Sequence, residues 1–189
     1  SIMKTKPLKI ARIVLPNNVL AAPLAGIADA GFRSVCRIYG AALSCTEMIS
    51  AKGLLYGNKK TRQLLYTTEY EKPCAVQIFG NDPACMAEAC QSEYLEKFDI
   101  IDINMGCPVP KIVNNNEGAA LMANIKLAEN IIKDCVKAAK KPVTVKFRKG
   151  IDRNNITAVE FAKMCEYSGA ALITVHGRLK SQLYGGKSD

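Results

Sequence analysis

Six short runs of apolar, β-favouring residues recur along the chain, at 19–24, 42–48, 74–79, 100–105, 143–147 and 171–175. Within each run the apolar character is nearly continuous rather than alternating. That is the pattern of parallel strands covered on both faces. Parallel neighbours need crossover connections, and the segments between the runs carry helix signals. Asp29 is placed to cap a helix in which Phe32, Val35, Cys36 and Tyr39 recur at i, i+3, i+4 and i+7, with Gly40 to end it. Asp82 followed by Pro83 predicts a second helical start, leading into 84–94. Asn124 precedes a stripe of Leu127, Ile131, Ile132, Cys135 and Val136, and Asn154 or Asn155 precedes Val159, Phe161, Ala162 and Cys165 before Gly169.

Strand and helix therefore alternate six times, which leaves a TIM (β/α)8 barrel or an open doubly wound sheet. The glycine fingerprint of a dinucleotide-binding first turn is missing after the first run. Polar residues gather instead at the C-terminal ends of several runs: Glu47, Gln77, Asn104, Lys146 with Arg148, and His176. A barrel brings all such ends to one rim, so the barrel is the expected fold. Eight βα units need about 250 residues. With 189 residues, only about six units are expected, residues 1–189 forming the N-terminal portion of the barrel domain.

Composition narrows the class. A hydrophobic share of 49% suits a globular domain with a real core. The apolar runs fall short of the roughly 18 residues that cross a bilayer, and the N-terminal segment with Lys4, Lys6 and Lys9 lacks the apolar centre of a secretory signal. A cytoplasmic protein without membrane contact is expected. Eight scattered cysteines, none in CxxC spacing, fit a reduced compartment, and with a single histidine far from them no metal site is expected. Lysine and arginine number 26 against 17 acidic residues, a net charge of +9 that favours a polyanionic partner or simple solubility.

Four segments could carry chemistry. Ala21, Ala22, Pro23, Leu24, Ala25 and Gly26 end the first run with small residues that let a flat ligand approach the backbone. Asn104, Met105, Gly106, Cys107 and Pro108 follow the fourth run and place a cysteine on a rim loop, whereas the other seven cysteines lie in helical or strand runs. Cys107 is thus the reactive-thiol candidate, with an inert buried cysteine as the alternative. Lys146 and Arg148 share one side of the fifth run. Cations directed into a barrel mouth call for an anion or an electron-rich ring, whereas a water-exposed pair at a strand end calls for neither. His176, Gly177 and Arg178 end the sixth run on the same rim.

At these residues the sequence resembles the tRNA-dihydrouridine synthases, in order and over essentially the whole chain. The resemblance rests on the APLAG segment with Asp29, Phe32 and Arg33; Glu47-Met48; Val76, Gln77 and Gly80; 104–108 with Lys111; 118–122; 143–148; and 176–178. It implies a flavin barrel of the FMN-linked oxidoreductase type that reduces uridine in tRNA to 5,6-dihydrouridine, with NADPH or NADH as reductant. By the same resemblance, Ala22, Pro23 and Leu24 would line the isoalloxazine, Gln77 and Lys146 would bond its polar edge, and His176 would lie near the cofactor. Asn104, Arg148 and Arg178 would meet the substrate, with Arg148, Arg178, Lys180 and Lys187 as candidates to hold flanking phosphates, and Cys107 would protonate C5 of the uracil. Members of the family continue through two more strands that hold the FMN phosphate and then a helical tRNA-binding domain. These are not expected within the 189 residues, so weak FMN binding is expected. Asn114, Asn115 and Asn116 stand where relatives often carry basic residues, and Leu179 where the family usually has threonine.

Two other readings compete. A dihydroorotate-dehydrogenase-like flavin enzyme would also pair a strand-end lysine with a rim cysteine, there as a base. Alternatively, an incomplete barrel would be inactive, retaining weak RNA binding or self-associating through its exposed edges.

Overall fold

A computed structural model describes residues 4–189. The chain opens with an antiparallel hairpin, β1 (Leu8–Ile10) and β2 (Ile13–Leu15), turned at Ala11 with φ of 49°. The parallel strands follow: β3 (Leu20–Ala21), β4 (Leu43–Cys45), β5 (Ile49–Ser50), β6 (Cys74–Phe79), β7 (Ile100–Met105), β8 (Val143–Gly150) and β9 (Leu172–Leu179). Their order is β3-β4-β6-β7-β8-β9, with short β5 continuing along β6 beyond β4. Each strand pairs with the next unit in sequence, so the six units form an arc of a TIM barrel. Among the described residues the outer edges of β3 and β9 pair with no further strand.

Helices α1 (Ala30–Ile38), α2 (Ala51–Leu55), α3 (Lys59–Gln63), α4 (Pro83–Cys90), α5 (Pro110–Val113), α6 (Ile125–Ala138) and α7 (Ala158–Tyr167) make the connections. Alternate strand residues turn outward onto the helices. Val76, Ile78, Ile101, Ile103, Val145 and Phe147 are fully buried against Met86, Ile131, Ile132 and Phe161, and each such side chain contributes ~1.5–3 kcal/mol. The hairpin was not anticipated from the sequence. Its Ile10 and Leu15 pack with Leu43, Cys45, Ala75 and Ile100, closing the N-terminal end of the arc beneath the inward face.

Several expectations need correction. β3 is much shorter than 19–24 and β4 shorter than 42–48, because the chain leaves the ladder early to form the rim. β8 and β9 run longer than expected, so Arg148, His176 and Arg178 lie inside strands rather than after them. The expected 84–94 helix stops at Cys90, and a 3-10 turn covers Glu93–Leu95. Helix α7 begins after Thr157, which makes no side-chain capping bond, because Asn154 and Asn155 are held in a preceding turn where Asp152 takes the Asn154 N–H at 2.9 Å and the Asn155 side-chain amide at 2.8 Å.

The apolar stripe of α1 faces out. Phe32 is 40%, Val35 51% and Tyr39 87% exposed, while Ala30 and Arg33 are buried. Arg33 decides this rotation. It forms an ion pair with buried Glu71 and donates to the carbonyls of Ala28 at 2.7 Å and Tyr66 at 2.8 Å. Glu71 also accepts from the Thr68 N–H and the Thr67 hydroxyl, both at 2.9 Å, so this buried charge pair has its hydrogen bonds supplied.

Candidate active site

Residues two apart on a strand share a face, and the inward set changes character along the arc. Near the hairpin it is apolar, with Ala75, Ile100 and Leu172. Toward the C-terminal ends it carries Gln77 on β6, Asp102 and Asn104 on β7, Thr144, Lys146 and Arg148 on β8, and Thr174 and His176 on β9. The register sets Gln77 beside Asp102 and Asp102 beside Thr144, then Asn104 beside Lys146 and Lys146 beside Thr174, and finally Arg148 beside His176.

Above these layers lies a cavity of about 420 Å³, within the roughly 300–1,000 Å³ typical of small-molecule sites. Ala22, Pro23 and Leu24 form one wall, while Gln77, Asn104, Cys107, Lys146, Arg148, His176 and Arg178 line the rest. Ten of the residues to which the resemblance assigns a role therefore meet in one space. Met48, Thr174 and Tyr184 are among the other lining residues, without having been expected there.

Opposing rim loops brace each other. Glu47, just after β4, accepts a hydrogen bond from the Gly26 N–H at 2.5 Å, fixing the turn after β3, where Gly26 has φ of 75°. The Cys107 loop is held by its backbone. Asn104 Oδ1 accepts from the N–H groups of Gly106 at 3.1 Å and Cys107 at 3.0 Å, while the Cys107 carbonyl accepts from Ala119 N–H at 2.9 Å. Gly118 closes the far side with φ of 60°, and a Cβ there would stand 2.7 Å from the Cys107 oxygen. The thiol is half-buried.

Both rim arginines work first on the backbone. Arg148, 2% exposed, donates to the carbonyls of Gly106 at 2.8 Å, Leu179 at 3.1 Å and Leu183 at 2.7 Å, with its guanidinium 5.7 Å from the Tyr184 ring centre. Arg178 donates to Gly185 at 3.2 Å and Gly186 at 3.1 Å. Together they tie the segment after β9 to the cavity rim. Lys180 and Lys187 lie in that segment but do not line the cavity.

Lys146 makes no side-chain hydrogen bond among the described residues, and it lines the cavity. Burial pushes its ammonium group toward neutrality, and the Asp102 carboxylate opposes that shift. Burial first, then Lys146, Arg148 and Arg178, press the His176 pKa down to about 4, so the imidazole is neutral at physiological pH. Asp102, inside the arc, is raised by burial and pulled back by hydrogen bonds from Gln77 and Thr144.

The sequence reading missed Asp102, which lies within an apolar run. The signal available was its i, i+2 spacing to Asn104, which places both on the inward face. Among the described residues no cluster of three metal-ligating side chains occurs, and no helix is long and apolar enough to span a membrane.

An arc of a TIM barrel with a thiol, two amides, a half-buried lysine and a neutral histidine around one rim cavity defines an α/β barrel with a small-molecule site at its C-terminal face. The dihydrouridine synthase family model matches residues 19–189, and the chain belongs to that family. It is 40% identical over 181 residues to tRNA-dihydrouridine synthase B of Pseudomonas aeruginosa, covering 96% of this chain and 54% of that protein. It is also 38% identical over 182 residues to tRNA-dihydrouridine synthase B of Vibrio parahaemolyticus, covering 96% and 56%. The probable tRNA-dihydrouridine synthase of Rickettsia bellii is 38% identical over 183 residues, again covering 96% and 56%. The chain thus spans about half the length of the curated relatives it matches. Histamine dehydrogenase from Rhizobium sp. 4-9 shares the fold, with a TM-score of 0.53 at 10% identity, covering 90% of this chain and 41% of that structure.

Proposed function

We propose that this chain forms the catalytic face of an FMN-dependent enzyme that reduces uridine in tRNA to 5,6-dihydrouridine, with NADPH or NADH as the source of electrons. The observation that carries the reading is the meeting of Cys107, Asn104, Gln77, Lys146 and His176 with the Ala22–Pro23–Leu24 wall around one cavity.

The donor set suits a flavin. The Ala22–Pro23–Leu24 wall offers a low surface against which a planar ring can lie. Gln77 gives one amide hydrogen to Asp102 and keeps the other, while Lys146 Nζ has no protein hydrogen-bond partner among the described residues. These two residues would hold the polar edge of the ring, and the lysine's charge would favour its anionic reduced state. When bound, reduced FMN supplies hydride to C6 of the uracil.

Cys107 then delivers a proton from its thiol to C5, and its backbone hydrogen bonds hold the loop that carries the sulfur. Asn104 gives one amide hydrogen to Gln77 and the other to the weak acceptor Met48 Sδ at 3.8 Å, a contact that a uracil carbonyl would replace. Neutral His176 adds no cation to a wall that already holds Lys146, Arg148 and Arg178. A uracil stacked in folded RNA must leave the stack to reach this cavity. Arg178 Nη1, without a partner among the described residues, and the nearby Lys180 and Lys187 would hold the flanking phosphates. A cytoplasmic location, with access to tRNA and a reducing environment, follows from this reading. The open edges of β3 and β9 are where self-association would occur, measurable by sedimentation.

The direct test supplies the protein with FMN, NADPH and unmodified tRNA, then measures dihydrouridine by nucleoside mass spectrometry. The reading expects product that depends on added FMN. FMN bound to the protein without any dihydrouridine formed would contradict it.

A further inference from the structure

Asp102 neither lines the rim cavity nor touches Cys107, yet a continuous relay of hydrogen bonds joins them. Thr144 donates its hydroxyl to Asp102 Oδ1 at 2.5 Å, and Gln77 donates Nε2 to Asp102 Oδ2 at 2.7 Å. Asn104 donates Nδ2 to Gln77 Oε1 at 2.9 Å, which leaves Asn104 Oδ1 for the Gly106 and Cys107 N–H groups. The relay crosses three adjacent strands and ends on the loop that carries the thiol.

A side-chain amide fits its slot in either of two orientations, and the network decides between them. The relay has a fixed acceptor at one end, the Asp102 carboxylate, and fixed donors at the other, the Gly106 and Cys107 N–H groups. Turning Gln77 over would set its oxygen against Asp102 Oδ2. Turning Asn104 over would set its NH2 against two backbone N–H groups, stranding all of them. We propose that Asp102 is a positioning residue: by accepting from Gln77 it fixes the polarity of the Gln77–Asn104 relay and so holds the Cys107 loop in its reactive conformation. The proposal rests on the functional reading above only for what that loop is for. Its structural content concerns the cofactor-free protein.

The test uses Asp102→Val, which removes the acceptor, and Asp102→Asn, which keeps one. An asparagine here can still accept from Gln77 while its own NH2 donates to the Thr144 hydroxyl. In cofactor-free protein, amide exchange at Gly106 and Cys107 is followed by NMR. Alkylation of Cys107 by iodoacetamide is followed by mass spectrometry, with half-buried Cys36 and Cys85 as internal references. In Asp102→Val, exchange at Gly106 and Cys107 is expected to accelerate about tenfold while α6 amides keep their protection. The Cys107 alkylation rate should change relative to the references, and Asp102→Asn should restore both probes to within about threefold of the parent.

A residue needed only for packing would loosen β6, β7 and β8 together and would not single out these two amides. If Asp102→Val does not fold, Gln77→Met cuts the relay at its next link and should release the same two amides. Unchanged protection of Gly106 and Cys107 in a folded variant of either kind overturns the proposal, whether or not the protein reduces uridine.

Discussion

The side-chain oxygen of Asn104 accepts a hydrogen bond from the Cys107 N–H at 3.0 Å, so the last polar residue of β7 sets the direction of the loop that bears the thiol. Removing that oxygen in Asn104→Ala strands two backbone donors, those of Gly106 and Cys107. A cost of about 1–3 kcal/mol in urea unfolding is expected. Because a misplacement of about 1 Å can reduce catalysis roughly a hundredfold, RNA-dependent turnover should fall by far more than the stability loss explains.

Gly118 supports the same loop from the opposite side. Its φ of 60° and the 2.7 Å approach of a Cβ to the Cys107 oxygen leave no room for a side chain. Gly118→Ala should lower stability by about 1–3 kcal/mol in thermal unfolding, through αL strain and displacement of the Cys107 carbonyl. It should also weaken exchange protection of the Ala119 amide, which donates to that carbonyl.

His176 should titrate near pH 4, because burial and the charges of Lys146, Arg148 and Arg178 disfavour its cation. In the unfolded chain histidine titrates near 6.5. Between these values the unfolded state binds more protons. Its contribution to stability is therefore full above about pH 6.5 and is lost as pH falls toward 4. The chain has one histidine, so its ring protons can be followed by NMR without ambiguity. Lys146→Gln should move the midpoint upward. A parent midpoint near 6.5 would contradict the electrostatic picture of this wall.

The Arg33–Glu71 pair fixes the rotation of α1 and joins it to the segment before β6. Arg33→Ala leaves a buried carboxylate without its cation and should cost about 3–5 kcal/mol in urea unfolding. An effect below about 1 kcal/mol would show that α1 is oriented by something else.

What the sequence made legible follows from how directly each residue's neighbours in sequence constrain it. β6 and β7 match the expected 74–79 and 100–105, because a continuous apolar run covered on both faces has few alternative placements. Cys107 was legible because its Gly and Pro neighbours exclude helix and strand. Arg33 shows the limit, since the face α1 buries is decided by a glutamate 38 residues away rather than by the apolar stripe. Asp102 shows the same limit, because its partners lie on neighbouring strands at sequence separations of 25 and 42. The arginines at 148 and 178 read as phosphate ligands by type. Their engagement with the carbonyls of 179, 183, 185 and 186 depends on how the segment after β9 folds back, which local sequence does not reveal.

The central claim is that Cys107 donates the proton to the uracil. The most direct measurement separates the two half-reactions by stopped-flow flavin absorbance, comparing the parent with Cys107→Ala. Flavin reduction by NADPH should be unchanged in the variant, while reoxidation by unmodified tRNA slows by about 10²–10⁴-fold, the usual loss on removing a general acid. Equal tRNA-driven reoxidation rates in the two proteins would contradict the assignment.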